Sequence, residues 1–232
     1  MEKGTYSMKA LIICGDGINC ERETANAFNE SQINTEIIHL NNIIEHPKMI
    51  HNFQAIALPG GFSFGDELNS GTVLSHKIKY GIGDEFYKFL EQKPIIGICN
   101  GFQALVQLGV FKDVCLVENK SKRFINTWTK LTIKNNEGPW LHGFNSNESF
   151  YLPIRHQEGN LQSSNPIDQE HIGLQYNDNP NGSQQKIAGL ISKNKMAFGL
   201  MPHPEIAIYP ENSYLQQNSG MKFFNNLYHY LS

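Results

Sequence analysis

The residues best placed to do chemistry are Gly97-Ile98-Cys99-Asn100-Gly101, where an apolar run gives way to a helical pattern. A nucleophile with glycines two positions before and two after it is the pattern of an elbow, a tight strand-to-helix turn that lifts one side chain above a sheet. The turn crowds its flanking positions against backbone, so they must be small. A helix starting just after Cys99 aims unpaired N–H groups and the positive end of its dipole at the sulfur. Both favour the thiolate, which is the reactive form. On its own, the string also fits a buried cysteine between two packing glycines.

A nucleophile needs a base, and Met201-Pro202-His203-Pro204-Glu205 offers one. A residue before proline is held away from the helical region, so Met201 and His203 are expected to be extended. In an extended segment His203 and Glu205 project to the same side. That suits a base and the carboxylate that fixes its tautomer. An acyl-transfer site also needs backbone N–H donors where charge develops on the carbonyl oxygen. In an elbow one donor is the amide after the nucleophile, here Asn100. Pro59-Gly60-Gly61-Phe62 follows another apolar run, and its glycines let backbone approach a ligand. If the two strands are neighbours, the Gly61 region lies beside Cys99. Gly60-Gly61 opens no phosphate-binding P-loop, and Gly15-Asp16-Gly17 lacks the third glycine of a dinucleotide fingerprint, so no ATP or NAD site is expected in this chain.

The remaining candidates are weaker. Cys14 ends a strand and Cys115 sits in an apolar run, which reads as core packing. Cys20 begins a helix, which would mildly activate its thiol, but no base is evident beside it. The four cysteines form no CxxC pair and no zinc spacing, so no metal site is expected and the thiols are free in a reducing compartment. Of the nine histidines, His39, His46, His51, His76, His142, His171 and His229 read as surface or packing residues. His156, in Pro153-Ile154-Arg155-His156-Gln157-Glu158-Gly159, ends a strand and is placed to line a pocket.

The elements that must position these residues follow from periodicity. Residues 9–14 (KALIIC), 35–40 (TEIIHL), 54–58 (QAIAL) and 93–98 (KPIIGI) read as strands, with helices at 21–30, 72–92 and 100–108 between them. Apolar strands alternating with helices predict a mostly parallel central sheet covered by helices on both faces, an α/β fold. From residue 114 the pattern changes to short strands at 114–117, 130–133, 149–154, 172–175, 187–192 and 197–201, separated by turn signals. These predict an antiparallel extension of the same sheet, closed by a helix at 220–231. A chain of 232 residues suits one domain, here 8–232, preceded by an N-terminal extension at 1–7 in which Met8 is an alternative start. With 40% hydrophobic and 18% charged residues the chain is globular rather than disordered. A net charge of -3 without a basic patch argues against a nucleic-acid partner. No apolar run is long enough for a signal peptide or a membrane span, so the expected location is cytoplasmic.

PGGF, GICNGFQ and PHPE, in that order, resemble the class I glutamine amidotransferases, whose sheet is flavodoxin-like. The match narrows further. Phe62-Ser63-Phe64-Gly65-Asp66-Glu67-Leu68, Asn119-Lys120-Ser121-Lys122-Arg123-Phe124, the Pro153 to Gly159 string and Asn179-Pro180-Asn181-Gly182-Ser183 are similar to the family of glutaminase subunits of phosphoribosylformylglycinamidine synthases. The resemblance runs from about Met8 to the end. It implies Cys99 as nucleophile, His203 as base and Glu205 as its partner. It also implies Gly61 and Asn100 as oxyanion donors, Gln103 as a glutamine contact, and Arg123 and His156 as pocket or interface residues. It further implies ammonia delivery to a large ATP-dependent synthetase subunit, with ATP and Mg held there, and leaves room for a small bridging subunit. Arg155 and Gln157 stand where the family has small residues, and Ile206 replaces a common Arg, which puts subunit contacts and pocket detail in question. Two rival readings are a stand-alone γ-glutamyl hydrolase-like enzyme and a non-catalytic scaffold subunit.

Overall fold

The computed structural model describes residues 8–63, 70–212 and 218–232. The extension expected at residues 1–7 and positions 64–68 of the first long motif lie outside the described residues. In chain order the strands are β1 (Lys9–Cys14), β2 (Asn34–His39), β3 (Ala55–Leu58), β4 (Ile95–Ile98), β5 (Val114–Glu118), β6 (Ile125–Ile133), β7 (Ser149–His156), β8 (Glu158–Ser163), β9 (Ile172–Tyr176), β10 (Ile187–Ile191) and β11 (Ala197–Leu200). The α-helices are α1 (Glu21–Glu30), α2 (Leu40–Glu45), α3 (Thr72–Lys77), α4 (Asp84–Gln92), α5 (Asn100–Gln107) and α6 (Met221–Leu231).

Among the described residues nine strands form one sheet in the order β2-β1-β3-β4-β11-β10-β9-β6-β7. The first five run parallel, and β10, β9, β6 and β7 continue the sheet antiparallel. This is the mixed sheet that the alternation of apolar runs predicts. β3 and β4 are buried at every position, which requires cover on both faces. β2, at the edge, is half exposed. α6 turns Phe223, Phe224 and Leu227 inward, and its Phe224 ring meets Phe28 of α1 at 5.2 Å.

The structure departs from the sequence reading in several places. Residues 72–92 do not form one helix. α3 ends at Lys77, a wide π turn spans Ile78–Ile82, and Gly83 at φ 61° separates it from α4. The close packing of Ile44 against Gly81, where a Cβ would stand 2.6 Å from Ile44 Cγ1, marks the crowded bend. β2 stops at His39, because the His39 ring accepts the Asn41 N–H and starts α2. β5 does not join the main sheet; it pairs with β8 as a separate two-stranded ribbon. β6 starts at Ile125, well before the expected 130.

β1, β3, β4 and β11 are neighbours and parallel, so their carboxyl ends share one edge of the sheet. In open α/β sheets that edge is where ligands bind. The Gly15-Asp16-Gly17, Gly60-Gly61, Cys99 and His203 segments all follow these strands.

Candidate active site

Cys99 lies directly after β4 at φ 50° and ψ -105°, a conformation that L side chains rarely adopt. Its N–H donates to the Leu200 carbonyl at 2.8 Å, which ties the elbow to the end of β11. The flanking glycines are forced by contact. A Cβ on Gly101 would overlap the Leu58 carbonyl, and one on Gly97 would stand 2.7 Å from the Gly101 oxygen. Cys99 is 5% exposed, and its thiol donates to the Arg155 carbonyl at 3.7 Å.

Because β4 and β11 pair in register, Leu200 opposite Ile98, the segment after β11 delivers His203 beside the elbow. The His203 N–H donates to the Pro153 carbonyl at 2.9 Å, anchoring it to β7. Its Nδ1 lies 2.6 Å from Glu205 Oε1, and the two residues are 3% and 2% exposed. The physical reason for this pairing differs from the one read in the sequence. Pro204–Ile206 is a short 3-10 turn rather than an extended run, and the turn folds Glu205 back onto the ring. Burial alone would disfavour the imidazolium. The Glu205 carboxylate, with the Cys99 and Cys20 thiols, outweighs it, so the His203 pKa lies well above the ordinary imidazole value.

Gly61 has φ 148°, and a Cβ there would stand 2.7 Å from the Gly17 oxygen. Gly61 bridges Ile18 antiparallel, with Asn19 N–H donating to the Gly60 carbonyl and Phe62 N–H to the Gly17 carbonyl. In that pattern the bonds run through the neighbours of Gly61 and do not use its own N–H. The Asn100 side chain accepts from Ser63 N–H at 3.3 Å and donates to Gln103 Oε1 at 3.0 Å, joining the glycine loop to the elbow helix. Gln103 Nε2 donates to the Glu158 carbonyl, and Glu158 Oε2 accepts from Ser70 N–H. A cavity of about 200 Å³ opens over Cys99, lined among others by Gly61, Gln103, His156 and Glu158. A larger cleft of about 700 Å³ runs from Tyr87 to Asn194 along the surface, but no cysteine or histidine lines it.

His156 is buried in the cavity wall. Its Nδ1 lies 3.0 Å from Asn119 Oδ1, while Asn119 Nδ2 donates to the His156 and Arg123 carbonyls. With the amide so oriented, Oδ1 can only accept, so Nδ1 carries the proton and Nε2 the lone pair. Burial, helped by the charge on His203, lowers the His156 pKa to about 3. The ring is therefore neutral at ordinary pH. Asn181 Nδ2 and Ser183 Oγ both donate to the Gly159 carbonyl, so the Pro-Asn-Gly-Ser loop braces the strand next to His156.

Cys99, His203, Glu205, Gly61, Asn100, Gln103 and His156 thus converge on one edge of the sheet. Arg123 does not join them: its side chain is exposed and does not line the cavity, and its link to the cavity wall is its carbonyl, which accepts from Asn119. Sequence reasoning missed Asn119 and Glu158 as individual residues, although both lie in the quoted strings. It also missed the setting of Cys20, beside which the sequence shows no base. Cys20 stands against His203, and burial, opposed by His203 and reinforced by Glu205, pushes its thiol pKa up.

Residues 7–231 match the CobB/CobQ-like glutamine amidotransferase domain. A phosphoribosylformylglycinamidine synthase subunit PurQ of Dehalococcoides mccartyi is 35% identical, with 94% of this chain and 96% of that protein covered. The PurQ of Thermotoga maritima is 34% identical over 96% of this chain and 98% of its own length. Among solved structures, a chain of PurLQS from Thermotoga maritima superposes with a TM-score of 0.85 at 32% identity, covering 97% of this chain and all of that one (100%). Another glutamine amidotransferase from Thermotoga maritima, 15% identical with a TM-score of 0.56 over 89% of this chain and 79% of its own, shares the fold.

Proposed function

From the premise that this chain belongs to the CobB/CobQ-like glutamine amidotransferase family, and within it to the PurQ subunits of phosphoribosylformylglycinamidine synthase, we propose that Cys99, His203 and Glu205 hydrolyse glutamine to glutamate and ammonia. The observation that carries this reading is the buried His203–Glu205 pair at the end of β11, delivered by strand register to the elbow that holds Cys99 at the end of β4.

The Cys99 thiolate attacks the carboxamide carbon of glutamine, and the carbon–oxygen π electrons move onto oxygen. The N–H groups of Gly61 and Asn100 face that oxyanion. His203, kept cationic by Glu205, gives its proton to the departing nitrogen, and ammonia leaves a thioester on Cys99. His203 then takes a proton from water as its oxygen attacks the thioester, which releases glutamate and restores the thiolate. Gln103 and the neutral His156 shape the cavity that holds the substrate. Arg123, exposed beside that wall, is assigned to the contact with the partner.

The ammonia goes to a large ATP-dependent synthetase subunit, where it replaces the amide oxygen of formylglycinamide ribonucleotide in purine synthesis. ATP and Mg belong to that partner. No described helix is long and apolar enough to cross a membrane, in keeping with work in the cytoplasm. The test is twofold. A glutamine analogue bearing an electrophile is expected to add one equivalent to Cys99, and glutamine hydrolysis is expected to rise when the synthetase subunit is added. No adduct on Cys99, together with no hydrolysis in the presence of the synthetase, sinks the reading in favour of a scaffold. Full hydrolysis unaffected by the synthetase favours a stand-alone hydrolase.

A further inference from the structure

A second thiol shares the imidazole. Cys20 caps the start of α1, and its N–H donates to the Gly60 carbonyl at 3.3 Å. Its Sγ, a ring nitrogen of His203 and a carboxylate oxygen of Glu205 all lie within 4.8 Å of one another. Gly60 permits the approach, since a Cβ there would stand 2.7 Å from His203 Cε1 and 3.4 Å from Cys20 Sγ. In this group His203 Nε2 and Glu205 Oε2 are buried and have no hydrogen-bond partner among the described residues. Glutamine hydrolysis as derived above assigns no step to Cys20.

A sulfur, an imidazole nitrogen and a carboxylate oxygen are the donor types of protein zinc sites. With bonds of about 2.0–2.3 Å, a tetrahedral ion sets its donors roughly 3.3–3.8 Å apart. No side of the triangle exceeds that spacing by more than about 1.5 Å, a gap that side-chain torsions can close. Thiolate is a soft donor, so Mg²⁺ and Ca²⁺ are poor occupants and Zn²⁺ or its spectroscopic substitute Co²⁺ are good ones.

We propose that Cys20, His203 and Glu205 form a binding site for a thiophilic divalent cation, and that occupation of the site switches off glutamine hydrolysis by displacing the His203 proton and holding the ring nitrogen. On binding, the Cys20 S–H bond and one His203 ring N–H bond break, both protons go to solvent, and metal–sulfur and metal–nitrogen bonds form. The inhibitory half rests on the function proposed above, and the binding half does not.

Binding is tested with Co²⁺ on the full chain, read by its thiolate-to-metal charge-transfer absorption. The wild type is expected to show the band and to lose it to added Zn²⁺. Cys20→Ser and Cys20→Ala, checked for folding by circular dichroism, are expected to lack it, and Cys99→Ser to keep it. A band retained without Cys20, or absent from the wild type, overturns the site; a band lost only in Cys99→Ser places the metal on the nucleophile instead. Inhibition is read on the chain with its synthetase, each protein against its own metal-free rate. Cys20→Ser is expected to need at least tenfold more Zn²⁺ for half inhibition, with recovery on adding a chelator. Equal sensitivity of the two proteins overturns the inhibitory role. The absorption arm needs no turnover, so a failure of the glutaminase reading remains distinguishable from a failure of the metal site.

Discussion

His203 Nδ1 and Glu205 Oε1 face each other at 2.6 Å with both side chains closed off from solvent. The carboxylate fixes which ring nitrogen carries the proton and offsets the cost of burying an imidazolium. Glu205→Gln keeps the shape and removes the charge. It is expected to lower kcat by about 10²- to 10⁴-fold and to bring the His203 pKa down. A folded pKa above the unfolded one stabilises below the unfolded value, and that stability is lost as pH rises through the folded pKa. The variant should therefore lose stability most below about pH 6.5. Steady-state rates and ring NMR titration check both halves; a rate within threefold of the wild type would remove Glu205 from the mechanism.

The elbow tolerates no side chain at position 101, because a Cβ there overlaps the Leu58 carbonyl of the neighbouring strand. Gly101→Ala is expected to destabilise the fold by about 1–3 kcal/mol or more, and to displace Cys99. Urea unfolding and glutamine-analogue labelling should both register the change. Unaltered unfolding with intact labelling would mean that α5 can move off β3 at no cost.

How much of this was legible in the sequence depended on how local the determining forces were. Cys99 and His203 stood out because spaced glycines and flanking prolines act within five residues. The parallel half of the sheet was legible because β1, β3 and β4 are apolar runs buried on both faces. The split of residues 72–92 was not, since the side chain that crowds Gly81 comes from Ile44. β8 was hidden because its buried Gly159 and Asn160 carry no strand signal; partners from the Asn181 loop satisfy the Gly159 carbonyl. The setting of Cys20 was hidden for the same reason, as His203 arrives only after the whole antiparallel extension has been laid down.

Asn119 holds the cavity wall by donating to two carbonyls and accepting from one imidazole. Asn119→Ala leaves the His156 Nδ1–H unpartnered in a buried place, at a cost of about 1–3 kcal/mol. The loosened wall should raise KM for glutamine by fivefold or more while kcat falls less. Calorimetric unfolding and steady-state kinetics separate the two effects. A KM that does not move would show that the Asn119–His156 contact supports the fold without shaping the cavity.

His156 gives the pH prediction with the opposite sign from His203. Its folded pKa is about 3 and its ordinary value 6.5. Between those limits the unfolded chain binds a proton that the folded chain refuses, so this residue makes stability fall as pH drops through that window. The slope it contributes is at most about 1.4 kcal/mol per pH unit. His156→Gln keeps a donor for Asn119 and cannot titrate. Its stability at neutral pH should drop modestly from imperfect packing, but its loss of stability between pH 6.5 and pH 4 should be visibly shallower than that of the wild type. Other groups titrate identically in both proteins and cancel in the difference. Parallel curves from urea unfolding at several pH values would mean that His156 takes up its proton in the folded state after all, and that the ring is better solvated than its burial implies.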